Sequence, residues 1–171
     1  MDIRSLLTSL PSRLEKEIYI QEAGRSEENL TTLLDLVFNE KDPVSWRAAW
    51  ILDGTDERFP GSAGPLIPVV IEQLPSLRST GSIRSLLRML CRYDIPEEQQ
   101  GILIDLCFKF MVSELYPVAV KVHAMQIIYN HVLIYPELAE ELRTIIEDQM
   151  INNSVGFASR GRRILSQLDK L

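Results

Sequence analysis

Apolar residues in this chain recur three and four positions apart, in stretches longer than a strand needs. Leu30, Leu33, Leu34, Val37 and Phe38 form one such stripe, the periodicity of a helix that buries one face. Ser26 ahead of it offers a hydroxyl to the first unpaired N–H groups, and Glu27 and Glu28 suit the positive end of the helix dipole. Asp42-Pro43 supplies the next cap, with a proline whose missing N–H costs nothing in a first turn, and opens a helix through Trp46 and Trp50. A link this short folds the two helices into an antiparallel hairpin. The punctuation then returns three times. A second pair follows Gly64-Pro65, runs to Pro75, resumes near Ser82 and ends about Arg92. A third opens at Pro96-Glu97-Glu98 with its partner at Tyr116-Pro117, and a fourth at Pro136-Glu137 with its partner near Ser154. The helix from Pro117 to about Leu133 is apolar nearly all round, which predicts a place between neighbours.

The hairpins are copies of one unit. Setting Arg47 over His123, 76 positions on, puts Ala48 on Ala124, Ile51 on Ile127 and Leu52 on Ile128. Setting His123 over Arg160, 37 positions on, puts Ile127 on Ile164 and Ile128 on Leu165. Half of the first offset lands on Arg84-Ser85-Leu86-Leu87-Arg88-Met89-Leu90, so the period is roughly 37 to 38 residues, two helices and their turns.

The string Trp46-Arg47-Ala48-Ala49-Trp50-Ile51-Leu52-Asp53 resembles the second helix of HEAT and HEAT-like repeats, including the type found in phycobilisome lyases. There a basic residue precedes small residues and then an aliphatic pair. The resemblance spans roughly residues 26 to 168, and later copies drift: Leu86 and Leu87 replace the small residues in the second, Gly161-Arg162 in the fourth. It implies an all-α fold, a right-handed α-α superhelix or solenoid of about four HEAT-like helical hairpins. Their second helices would line a concave surface that grips proteins and, in some members, nucleic acid. Residues 1–171 are then a single domain, with 26–168 as repeats and 1–25 as an N-terminal cap. Leu14, Ile18, Tyr19 and Ile20 give that cap an apolar side, Glu15, Glu17 and Glu22 a polar one, and Gly24 a stop. The longest irregular stretch is expected from Gly54 to Gly64.

A chain of 171 residues, 46% apolar and 25% charged, is an ordinary folded protein. It shows neither a secretory leader nor an apolar run near the roughly 18 residues of a membrane span, so it is expected to be cytoplasmic and away from membranes. Cys91 and Cys107 lie within helical patterns and are expected as reduced, small hydrophobes. The net charge of −6 argues against nucleic-acid binding by bulk charge.

Distribution matters more than the total. The expected first helices carry Glu27, Glu28, Asp35, Glu97, Glu98, Asp105, Glu140 and Glu141 among many acids. The second helices carry Arg47, Arg84, Arg88, Arg92, Lys121, Arg160, Arg162 and Arg163, with Asp53 nearly alone against them. Opposite walls of a solenoid would then differ in sign, and the basic inner wall would face an anionic partner. Equal positions in successive second helices stack into a ladder. Arg47 and Trp50 fall with Ser85 and Arg88, then His123 and Gln126, then Arg160 and Arg163; one turn on come Arg92, Asn130 and Gln167. His123, Gln126 and Asn130 make a polar stripe on an otherwise apolar helix, which must face water or a ligand. Trp46 is expected in the core and Trp50 at the surface, as an anchor beside Arg47. Against this, the same cations serve equally well as solvated residues that pair with acids of adjacent repeats for about 0–1 kcal/mol each.

No catalytic signature is present. His123 and His131 lie eight positions apart, too far for a zinc helix, and no Glu-x-x-His motif occurs. Gly54, Gly61 and Gly64 lack the Lys-Ser/Thr ending of a phosphate loop. Nothing activates Cys91 or Cys107 as a nucleophile, and no metal or cofactor is expected. The sequence favours a non-enzymatic scaffold that binds an acidic peptide or protein segment through Arg47, Trp50, Arg84, Arg88, His123, Gln126, Asn130, Arg160 and Arg163. Two alternatives stay open. One is duplex binding like that of DNA-alkylation-repair glycosylases built from HEAT-like helices, and the other an enzyme or accessory factor of the lyase-type group, which requires a deep pocket.

Overall fold

Side-chain caps set several helix boundaries. In this computed structural model, which describes residue 8 and residues 12–151 and 154–171, Ser12, Ser26, Ser79 and Ser154 each accept a backbone N–H three residues on. Glu15 returns the bond to the Ser12 N–H, a full capping box. The helices are α1 (Arg13–Ala23), α2 (Glu27–Asn39), α3 (Val44–Arg58), α4 (Ile67–Gln73), α5 (Thr80–Leu90), α6 (Glu97–Val112), α7 (Val118–Val132), α8 (Leu138–Met150) and α9 (Val155–Leu168). Short 3-10 turns, Gly64–Leu66 and Leu74–Ser76, flank α4. No strand occurs among the described residues, and none of their helices is long and apolar enough to cross a membrane.

The chain forms two compact units, Met1–Ile95 and Pro96–Leu171. In the first, α3 packs on α2, on α5 and on α1. Its core holds Leu33, Val37, Ala48, Ala49, Ile51, Leu52, Val70, Leu86 and Leu87, each at most 1% exposed. Burying each of the Leu, Ile and Val side chains among them stabilises the fold by about 1.5–3 kcal/mol. The repeat is visible as a contact: the hydroxyls of Ser45 and Ser82, 37 positions apart, lie 2.8 Å from each other in the core, and Ser45 also donates to the Val37 carbonyl at 2.7 Å. α3 and α5 therefore stack at the repeat period, 37 residues here against the 38 that sets Arg47 on Ser85, and Ser82 lies inside α5, whose cap is Ser79.

In the second unit α7 packs on α6, α8 and α9, as its all-round apolar surface requires. His131 is buried there, its Nδ1–H donating to the Ile127 carbonyl at 2.8 Å. A Cβ at position 161 would come 2.9 Å from Ile146 Cγ2, so Gly161, which departs from the larger residues of earlier copies, lets α9 close on α8.

Two expectations need correction. The stretch from Gly54 to Gly64 is not irregular throughout: α3 continues to Arg58, because Asp53 and Asp56 find cationic partners and the Thr55 hydroxyl bonds the Ile51 carbonyl. Trp46, expected in the core, is only half-buried, its ring centre 6.2 Å from that of Trp50. Cys107 is buried and Cys91 half-buried.

Candidate functional site

The extra turn of α3 changes the charge pattern of the first unit. Arg88 of α5 places Nη1 2.6 Å from Asp53 Oδ2 and Nη2 2.5 Å from Glu57 Oε1. Arg92, just past the helix end, reaches Asp53 Oδ1 at 2.9 Å and Asp56 Oδ2 at 2.8 Å, and donates to the Asp53 carbonyl at 3.2 Å. The Tyr93 hydroxyl donates to Asp56 Oδ1, which also accepts the Ala63 N–H at 3.2 Å. Asp53 and Asp56 are 2% and 1% exposed. This is an ionic clasp holding the last turns of α3 to the end of α5. Burial works against both guanidinium charges, but hydrogen bonds and attraction from the carboxylates outweigh it and raise the pKa of Arg88 and Arg92. Burial, then the bond to Asp56, also raises the Tyr93 phenol. The expected partition of charge left Asp56 and Glu57 out of the second helix, so their effect on Arg88 and Arg92 was missed.

Beside the clasp lies an aromatic and cationic face. Lys16 of α1 sits with Nζ 4.1 Å from the centre of the Trp50 ring, and the Arg47 guanidinium is 5.4 Å from that of Trp46. Both tryptophans and Arg47 are half-buried, and Arg84 is exposed. Lys16 was not among the residues expected here. Its signal was weak, since α1 falls outside the repeat whose register defined the ladder.

The second unit holds a different arrangement. Arg160 Nη1 of α9 donates to Gln126 Oε1 of α7 at 2.9 Å, and Gln126 Nε2 donates to Asn130 Oδ1 at 2.9 Å. All three are half-buried, as is His123 one turn earlier on α7, while Arg162 and Arg163 on α9 are exposed. Among the described residues Arg160 meets an amide and no carboxylate. Lys121 points elsewhere. It is 7% exposed, donates to Gln149 Oε1 at 3.1 Å, and has a pKa lowered by burial, with Glu114 opposing.

The nine expected residues thus fall into two sets. Arg47, Trp50, Arg84 and Arg88 belong to the first unit, with Arg88 already ion-paired. His123, Gln126, Asn130, Arg160 and Arg163 belong to the second, where Arg160, Gln126 and Asn130 are joined directly. A hollow of about 380 Å³ also opens beside the α2–α3 turn, with Glu40, Lys41, Asp42, Ser45, Arg78 and Ser79 among its lining residues. None of the nine lines it. A family model described as a HEAT repeat domain matches residues 4–168. None of the curated proteins or solved structures compared with the chain matches it.

Proposed function

Since the chain belongs to the HEAT repeat family, a class of helical repeat scaffolds that typically mediate protein interactions, we propose that it is a non-enzymatic scaffold binding an acidic segment of a partner protein. The observation that carries this is the Arg160 contact. A guanidinium that meets a neutral amide keeps its full charge available to an incoming anion, whereas Arg88 has its charge met by Asp53 and Glu57. Arg160 and Arg163 supply attraction, His123, Gln126 and Asn130 supply orientation, and Trp50 with Arg47 and Arg84 supplies an anchoring face on the first unit.

Reversing both cations in Arg160→Glu/Arg163→Glu tests this. Fluorescence anisotropy with a labelled Glu-Gly repeat peptide should show binding to the parent protein and its loss in the variant, with the helical circular dichroism kept. A labelled DNA duplex should bind weakly at low salt and show no steep decline as salt rises. Equal peptide binding by the variant removes the row from consideration, and tight duplex binding that collapses with salt replaces the protein partner by nucleic acid.

A further inference from the structure

Arginine has five N–H donors and no acceptor. Gln126 must therefore turn its oxygen toward Arg160, which commits its amide nitrogen to Asn130, which in turn must offer its own oxygen. The row has one allowed direction, set by the cation at its head. Each amide oxygen turns inward along it to accept one bond, and the groups that Gln126 and Arg160 have left to donate are the second Nε2–H and the remaining guanidinium N–H groups. The geometry points to a specificity device: the row selects carboxylate over carboxamide side chains in the bound segment, with Gln126 as the discriminating residue and Asn130 as the residue that fixes its orientation. This rests on the acidic-segment reading above and deepens it, because bulk positive charge alone attracts any anion without testing hydrogen-bond polarity.

The chemistry is a matching of donors to acceptors. An aspartate or glutamate presents only acceptors, and charge-assisted N–H···O⁻ bonds are stronger than neutral ones. An asparagine or glutamine of the same shape presents an NH2 group as well, and where that group meets the row a donor faces a donor. A site built to pair one partner rejects the isostere that leaves its groups unpaired. The half-buried setting of Arg160, Gln126 and Asn130 gives this weight, since a bond partly shielded from water counts for more than one fully exposed.

The test compares two labelled peptides on the full chain by anisotropy at one fixed salt concentration: a Glu-Gly repeat and its twin with Gln for every Glu. The parent protein should bind the first about ten- to a hundredfold more tightly, as charge-assisted bonds predict. Gln126→Met keeps every charge but breaks the row and removes the amide N–H that it holds toward the ligand. It should shrink the preference several-fold, and Asn130→Ala, which removes the other end, serves if the first variant loses its thermal transition. A preference unchanged in both folded variants overturns the donor row while leaving the scaffold intact, because the selectivity would then be bulk charge. Failure of the Glu-Gly peptide to bind the parent protein sinks the acidic-segment reading, and the row with it.

Discussion

Arg88 and Arg160 reach back across one repeat by nearly the same step, 35 residues to Asp53 and 34 to Gln126. The reach is common to both and the acceptor differs. In the first unit the acceptor is a buried carboxylate, joined by Asp56, Glu57, Arg92 and Tyr93 into a clasp whose three acids meet two guanidiniums. In the second it is an amide that hands the bond on to Asn130. One repeat contact thus serves two ends. With an acid it locks two helices together and consumes the charge, and with an amide it orients a row and leaves the charge to act on something else.

The clasp is where the largest effect is expected. Asp53→Ala removes a carboxylate shared by two arginines and leaves both short of a partner. Breaking a buried pair costs about 3–5 kcal/mol, reduced here because the Arg88 and Arg92 side chains, 41% and 31% exposed, can turn partly to water. A loss of roughly 2–4 kcal/mol in urea-induced unfolding is expected. A loss under about 0.5 kcal/mol would reduce the clasp to an ordinary surface pair and erase the contrast with Arg160.

Tyr93→Phe probes the same cluster more gently, at about 1.5–3 kcal/mol for one hydrogen bond to a carboxylate. Its pH dependence has a definite sign. The Tyr93 pKa is raised above its ordinary 10.0 in the folded state, so its contribution is complete below pH 10 and is lost as pH rises through the folded value. The stability gap between parent and variant, from urea midpoints at successive pH values, should be constant near neutrality and narrow only above pH 10. Narrowing near pH 7 would assign the effect to another group.

The repeat was legible because burial acts on periodic positions. The match of Trp46 to Leu52 with its later copies predicted a period of roughly 37 to 38 residues, and the Ser45–Ser82 contact, 37 residues apart, is that period at the level of atoms. The end of α3 was not legible from punctuation. Gly54 with the two acids that follow it, Asp56 and Glu57, reads as a loop, and only their partners on a neighbouring helix make them helical. A signal was nonetheless present: Asp53, Asp56 and Glu57 lie one repeat before Arg88 and Arg92, an acid-and-base complement at the repeat period. The row of the second unit was legible as a polar stripe, His123, Gln126 and Asn130, but its direction was not. That direction depends on Arg160 arriving from α9, which one helix's sequence does not encode.

Gln126→Glu carries the first unit's chemistry into the second and so sharpens the comparison most directly, although its expected effect on stability is the smallest. A carboxylate at 126 accepts from Arg160 as Asp53 accepts from Arg88, and it meets the cation with a charge of its own. Because Arg160 and Gln126 are half-buried rather than enclosed, the new ion pair should change unfolding free energy by no more than about 1 kcal/mol. Affinity for the Glu-Gly peptide should fall several-fold, since the head of the row no longer carries net charge and its glutamate repels the ligand. If affinity holds instead, the charge on Arg160 is not what draws the acidic segment, and the amide at 126 differs from the acid at 53 only in how firmly it ties two helices.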